Sequence, residues 1–139
     1  MLTLREVGKC LTEEEFGELE KRINKKLPMS MRNFYLKYNG GQPDLNYVHD
    51  KKHLFPFNSF YSLDEIFDTL KWFDDDSFPP TFKQGDLLPF AYDPGSGNYA
   101  ISLKDEDFGK VYFYVLEEEA KIYGVWDSFD EFINSFVNG

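Results

Sequence analysis

The stretch Leu27-Pro28-Met29-Ser30-Met31-Arg32-Asn33-Phe34-Tyr35-Leu36-Lys37-Tyr38-Asn39-Gly40-Gly41 decides how the rest of the chain reads. Leu27 precedes a proline and is biased toward extended backbone. Pro28 suits the first helical position, where its missing N–H costs nothing. Met31, Phe34, Tyr35 and Tyr38 stand at i, i+3, i+4 and i+7, so they share one helical face. Asn39, Gly40 and Gly41 tolerate the left-handed conformation that stops a helix. The reading is a short helix with a bulky apolar face, against which the other elements pack.

Upstream, residues 12–26 predict a helix. Thr12 and Glu15 form a capping box. Glu13, Glu14 and Glu15 fill the first turn and Lys21, Arg22, Lys25 and Lys26 the last, matching the helix dipole. Phe16, Leu19 and Ile23 make its apolar stripe. Gly17 costs about 1 kcal/mol there relative to Ala, which implies that another backbone packs close. Downstream, residues 42–46 read as a turn into a short strand at 45–48, and 49–53 as a polar, basic loop. Residues 54–60 read as a strand, which Pro56 assigns to a sheet edge. Ser62 and Glu65 cap a third helix, with Leu63, Ile66, Phe67 and Leu70 on its apolar face. Asp74, Asp75 and Asp76 end it before a loop at Pro79-Pro80.

From Asp86 the apolar period falls from 3.6 to 2. Residues 87–91 form one strand, followed by a turn from Asp93 to Asn98. Tyr99, Ile101 and Leu103 alternate with small or polar residues, giving a strand with one buried face. Residues 105–109 turn the chain into 111–116, apolar on both faces and therefore the expected central strand. Residues 117–120 turn it again into a strand at 122–126. Ser128 and Glu131 then cap a last helix carrying Phe129, Phe132, Ile133 and Phe136. Short connections favour antiparallel pairing in this meander. The economical architecture is α+β: a mainly antiparallel sheet with helices on one face and at its ends, in one domain spanning 1–139.

Composition narrows the function. The chain has 139 residues, 19% aromatic, with 15 Phe, so it can bury a sizeable core. Its formal net charge of −10 repels nucleic-acid phosphates and anionic lipid, and suits a basic protein partner. Cys10 is the only cysteine, so no intramolecular disulfide forms and a reducing compartment is expected. No apolar run reaches the ~20 residues of a membrane span, and the N-terminus lacks a secretory signal. A soluble cytoplasmic protein is the expectation.

No constellation of residues reads as an active site. His49 and His53 have the i, i+4 spacing of helical metal ligands, but they flank Asp50, Lys51 and Lys52 where no helical pattern exists. Asp105, Asp107 and Gly109 imitate the start of a calcium loop. Its required glycine and bidentate glutamate fall on Lys110 and Leu116, so the match fails. Gly95-Ser96-Gly97 precedes a strand, whereas phosphate cradles open a helix. Cys10 has no nearby His in sequence to activate it. No cofactor or metal is expected. The acidic clusters read as solvated surface, or as landing sites for a basic partner.

Several short motifs, taken in order, resemble a known family. The first helix runs into Leu27-Pro28, and the next ends at Tyr38-Asn39-Gly40-Gly41. Leu88-Pro89-Phe90-Ala91 leads to a turn closing with Gly97-Asn98. The chain finishes with Val125-Trp126-Asp127-Ser128-Phe129-Asp130-Glu131-Phe132-Ile133. Together these resemble the SUKH superfamily, which includes fungal Smi/Knr-type cell-wall assembly regulators and many bacterial immunity proteins. The resemblance implies an α+β fold without enzymatic activity, and for bacterial members the neutralisation of a cognate toxin, often a nuclease or deaminase. The leading expectation is an immunity protein; the alternative is a regulatory or scaffolding module of the cell-wall regulator type. The residues chosen as partner contacts are Asp74, Asp75, Asp76, Asp105, Glu106, Asp107, Glu117, Glu118 and Glu119.

Overall fold

A computed structural model describes residues 2–73, 87–116 and 120–138. In chain order the elements are β1 (Leu4–Arg5), α1 (Glu13–Ile23), α2 (Met29–Lys37), β2 (Gln42–Pro43), β3 (Tyr47–His49), β4 (Leu54–Pro56) and β5 (Ser59–Phe60). Then come α3 (Leu63–Phe73), β6 (Leu87–Tyr92), β7 (Gly97–Ser102), β8 (Val111–Leu116), β9 (Ala120–Trp126), α4 (Phe129–Ile133) and β10 (Phe136–Val137). The described strands form three antiparallel sheets, ordered β1-β2, β10-β3-β4 and β5-β6-β7-β8-β9. The fold is α+β, as the sequence predicts.

Helix starts follow local chemistry. The Thr12 hydroxyl accepts the Glu15 N–H at 3.2 Å, and the Glu15 carboxylate accepts the Thr12 N–H at 3.0 Å. Ser62 and Glu65 repeat that exchange at 3.2 and 3.0 Å before α3. At α4 only half of the expected box forms. Ser128 accepts the Glu131 N–H, while Glu131 reaches the N–H of Asp127, one residue too early. α1 stops at Ile23 and not at Lys26, because Asn24 turns left-handed at φ 56°.

α2 departs from expectation at both ends. Pro28 is its N-cap, and Tyr38 closes it in an extended conformation, donating its N–H to the Phe34 carbonyl at 2.7 Å. Asn39-Gly40-Gly41 is therefore a junction rather than a cap. The Asn39 side chain donates to the Lys9 carbonyl and accepts the Leu63 N–H. Gly40 has φ +80°, and a Cβ there would approach the Ser62 nitrogen to 2.7 Å. Only glycine lets the two backbones meet. Glu20, nearly buried on α1, accepts the Leu27 N–H at 2.7 Å and so fixes the Leu27-Pro28 entry into α2.

Two strand expectations and one helical one need correction. Residues 54–60 make two strands in different sheets: β4, at the edge where Pro56 belongs, and β5. β7, not β8, is central in the five-stranded sheet. Ala100 and Ser102 read as a solvent-facing row but are fully buried, so β7 is covered on both faces, whereas Tyr112 of β8 is half-buried. Phe136 is not helical. Asn134 caps α4, the Ser135 hydroxyl bonds the Phe132 carbonyl at 2.6 Å, and Phe136 pairs with Val48 in β10.

The core is one continuous apolar cluster. α2 packs on α1 and α4, α1 also on α3, α3 on β6, and α4 on β9. Tyr35 is fully buried, its hydroxyl 2.9 Å from the Tyr61 carbonyl and 3.1 Å from that of Phe90. Burial holds its pKa well above the usual phenol value, so it stays a donor. Phe132 stands amid the rings of Phe57, Phe60, Phe90, Tyr99, Trp126 and Phe136.

Phe132→Ala is expected to cost about 3–5 kcal/mol, as for other fully buried aromatic truncations, read from urea unfolding. Two glycine substitutions should differ in sign. No atom lies within 4 Å of a Cβ built on Gly17, which overturns the close backbone approach expected there. Gly17→Ala should therefore stabilise by about 1 kcal/mol. A Cβ on Gly97 would meet the Phe113 ring at 2.5 Å, so Gly97→Ala should destabilise by about 1–3 kcal/mol.

Candidate partner-binding surface

Of the acidic clusters expected to contact a partner, Asp74, Asp75, Asp76, Glu117, Glu118 and Glu119 lie outside the described residues. Asp105, Glu106 and Asp107 form one 3-10 turn between β7 and β8. Their carboxylates have different roles. Asp107 points inward, accepting the Ser102 hydroxyl and the Tyr112 phenol, each at 2.5 Å. Partial burial opposes its charge, but those two bonds and the nearby Lys104 and Lys110 ammoniums outweigh it and hold its pKa below the usual carboxylate value. The Tyr112 pKa rises to about 12, first through burial and then through the bond and charge of Asp107.

Asp105 and Glu106 face solvent. Asp105 accepts the Lys25 ammonium at 2.8 Å; that hydrogen bond and charge lower its pKa. The same ammonium donates to the Leu103 carbonyl and lies 4.9 Å from the centre of the Phe108 ring. The turn is thus tied to the end of α1 on one side and to β8 on the other. It presents Asp105, Glu106 and part of the Phe108 ring outward.

The histidines lie elsewhere. His49 ends β3 and His53 precedes β4, so they flank a hairpin turn. Asp50 organises that turn: its carboxylate accepts the N–H groups of Lys52, His53 and Val125 at 2.8, 2.7 and 3.2 Å. Desolvation works against its charge, but these bonds and His53 prevail and lower its pKa. The Trp126 indole N–H donates to the His49 carbonyl at 2.8 Å. Between this turn, β9 and α4 runs an open groove of about 720 Å³, which sequence reading missed. Its parts, His49–His53 and Tyr123–Asp127, are far apart in sequence, and only the asparagine-like turn pattern at Asp50 hints at a fixed loop.

Among the described residues, no group of three or more His, Cys, Asp or Glu is placed to hold a metal ion. Cys10 is exposed. Among the described residues no helix is long and apolar enough to cross a membrane. The arrangement offers rigid, charged turn tips on a packed scaffold.

The model of the SMI1/KNR4 family (SUKH-1) matches residues 10–135. The chain belongs to that family. The match covers α1 to α4, including the Leu27-Pro28 entry, the Asn39-Gly40-Gly41 junction and the Ser128 cap. No curated protein matches the sequence. The SUKH family covers immunity proteins and Knr4-type regulators, and membership implies protein–protein interaction in general.

Asp107→Asn should destabilise by about 1 kcal/mol at neutral pH through two weakened hydrogen bonds. The lowered Asp107 pKa gives stability that is present above the unfolded carboxyl pKa and lost as pH falls through the folded one. The difference between wild type and Asp107→Asn should therefore shrink in acid. The raised Tyr112 pKa works at the other end: its contribution is full below the unfolded phenol pKa and lost as pH rises through about 12. Phenolate absorbance should show late-titrating tyrosines, Tyr35, Tyr61, Tyr99 and Tyr114 among them, and Tyr112→Phe should reduce that late amplitude by one phenol.

Proposed function

We propose that this protein is a non-enzymatic, cytoplasmic immunity protein that binds a cognate toxin domain stoichiometrically and blocks it. Family membership supports the class, and the −10 formal charge supports the partner's chemistry. A nuclease-type toxin holds phosphates through a basic surface, and an acidic protein of this size can occlude such a surface by charge complementarity. Asp74, Asp75, Asp76, Asp105, Glu106, Asp107, Glu117, Glu118 and Glu119 remain the proposed contacts. Within the 105–107 turn, Asp105 and Glu106 are the better candidates, because the Asp107 carboxylate is engaged internally.

The observation that carries this reading is the family match combined with the strongly acidic balance. Co-expression with the toxin domain encoded beside this gene should restore survival, and the two proteins should co-purify. Reversing Asp105 and Glu106 to Lys should slow association about tenfold at low salt and flatten its salt dependence, measured by stopped flow. Toxicity that persists with the intact protein present excludes immunity toward that toxin and favours the regulatory reading.

A further inference from the structure

Asn-Gly pairs stand at 39–40 and 138–139 of the chain. Asparagine is chemically labile, and most so before glycine, which leaves its nitrogen unshielded and its backbone free to bend toward the asparagine side chain. Asn138 is exposed. Asn39 is the opposite case, because the fold is built around it.

Both polar atoms of the Asn39 side chain are engaged. The amide nitrogen donates to the Lys9 carbonyl at 2.8 Å, and the amide oxygen accepts the Leu63 N–H at 2.8 Å. That N–H belongs to the first turn of α3, and the Ser62–Glu65 exchange leaves it over. The main chain is tied as well. The Asn39 carbonyl accepts the Gly8 N–H at 3.0 Å, and the Gly40 N–H donates to the Tyr38 carbonyl at 3.0 Å. One residue thus joins the segment before α1, the end of α2 and the start of α3. Space is equally short: a Cβ on Gly40 would lie 2.7 Å from the Ser62 nitrogen, and one on Gly8 would lie 2.9 Å from the Asn39 carbonyl oxygen.

We propose that Asn39-Gly40 is a deamidation site that the fold holds shut, and that its conversion keeps the junction from closing again. In this step the Gly40 nitrogen attacks Cγ of Asn39 and gives up its proton to solvent. The bond from Cγ to Nδ2 breaks and ammonia leaves. Water then opens the resulting cyclic imide at either carbonyl, giving aspartate or isoaspartate with no change of oxidation state. In the folded chain Asn39 must first leave Lys9 and Leu63, and Gly40 must leave Tyr38. Chemistry slower than reclosing follows the population of chains in which the junction is open. After conversion to aspartate, an ionised oxygen replaces the amide donor and faces the Lys9 carbonyl, acceptor against acceptor. Isoaspartate adds a carbon to the backbone where Gly40 and Ser62 leave no room for one. A converted chain therefore carries a permanent mark of having opened.

The full chain carrying Asn138→Ser, in which Asn39-Gly40 is the sole Asn-Gly pair, tests both parts. It is held at mildly alkaline pH and followed by peptide mapping. Asn39 should convert about a hundredfold more slowly than in a capped peptide of residues 36–43, and at the peptide's rate once urea has unfolded the chain. A native rate within about tenfold of the peptide's would overturn the protection. Chains converted at Asn39 in urea are then separated by ion exchange from the unconverted chains of the same incubation, and both are diluted to refold. The unconverted fraction should regain the parent's urea midpoint, while the converted fraction should either fail to refold or unfold at lower urea. Equal midpoints for the two fractions would overturn the block on reclosing. None of these outcomes bears on whether the protein neutralises a toxin.

Discussion

The fold depends on how the Phe132 ring is wedged between two sheets. Its plane stands at 89° to Trp126 and 87° to Phe90 from the five-stranded sheet, and at 78° to Phe136 from the three-stranded one. Edge-to-face pairs of this kind contribute about 0.5–1.5 kcal/mol each beyond the area they bury. They also fix orientation, since sliding either sheet would turn ring edges away from ring faces. α4 runs only from Phe129 to Ile133, too short to be stable alone. The wedge holds the helix in place, and the helix in turn delivers β10 to β3.

Features set by neighbours in sequence were legible; those set by coverage were not. Thr12 with Glu15 and Ser62 with Glu65 each satisfy their own N–H groups, so the starts of α1 and α3 can be read from spacing alone. The centre of the sheet could not. Ala100 and Ser102 are small, and a period-2 reading assigns them to solvent, yet the fold covers them. Phe136 continues a helical apolar period, but its place is decided by pairing with Val48, a residue far away in sequence. Asn39-Gly40-Gly41 lies just beyond α2, as a junction and not as the left-handed cap its residue types suggest. Its reason, contact between the Gly40 and Ser62 backbones, appears only once α2 and α3 are placed together.

The candidate surfaces show the same division. Acidic runs are visible in composition, but composition cannot say which carboxylates are free to meet a partner. In the 105–107 turn one carboxylate binds Ser102 and Tyr112, a second binds Lys25, and Glu106 makes no hydrogen bond or ion pair among the described residues. The groove teaches the same lesson. Asp50 and Glu131 there accept backbone N–H groups and Asp127 is paired with Lys51, so its lining displays charges of both signs. Net charge describes steering at a distance; contact chemistry is set by which charges the fold has already used.

Both exposed turns share one construction, and it bears on how this chain can meet a partner. Asp107 pins the β7–β8 turn by accepting from Ser102 and Tyr112. Asp50 pins the β3–β4 turn by accepting from Lys52, His53 and Val125. Each carboxylate is held ionised by the donors it gathers. A loop fixed in this way has already lost its conformational freedom on folding, so less is lost when a partner docks, at about 0.5–1.5 kcal/mol saved per side chain ordered beforehand. Neutralising either carboxylate would loosen its turn without touching the groups the turn displays. Order at these tips is thus set by two carboxylates that gather local donors, while recognition belongs to the residues those turns display.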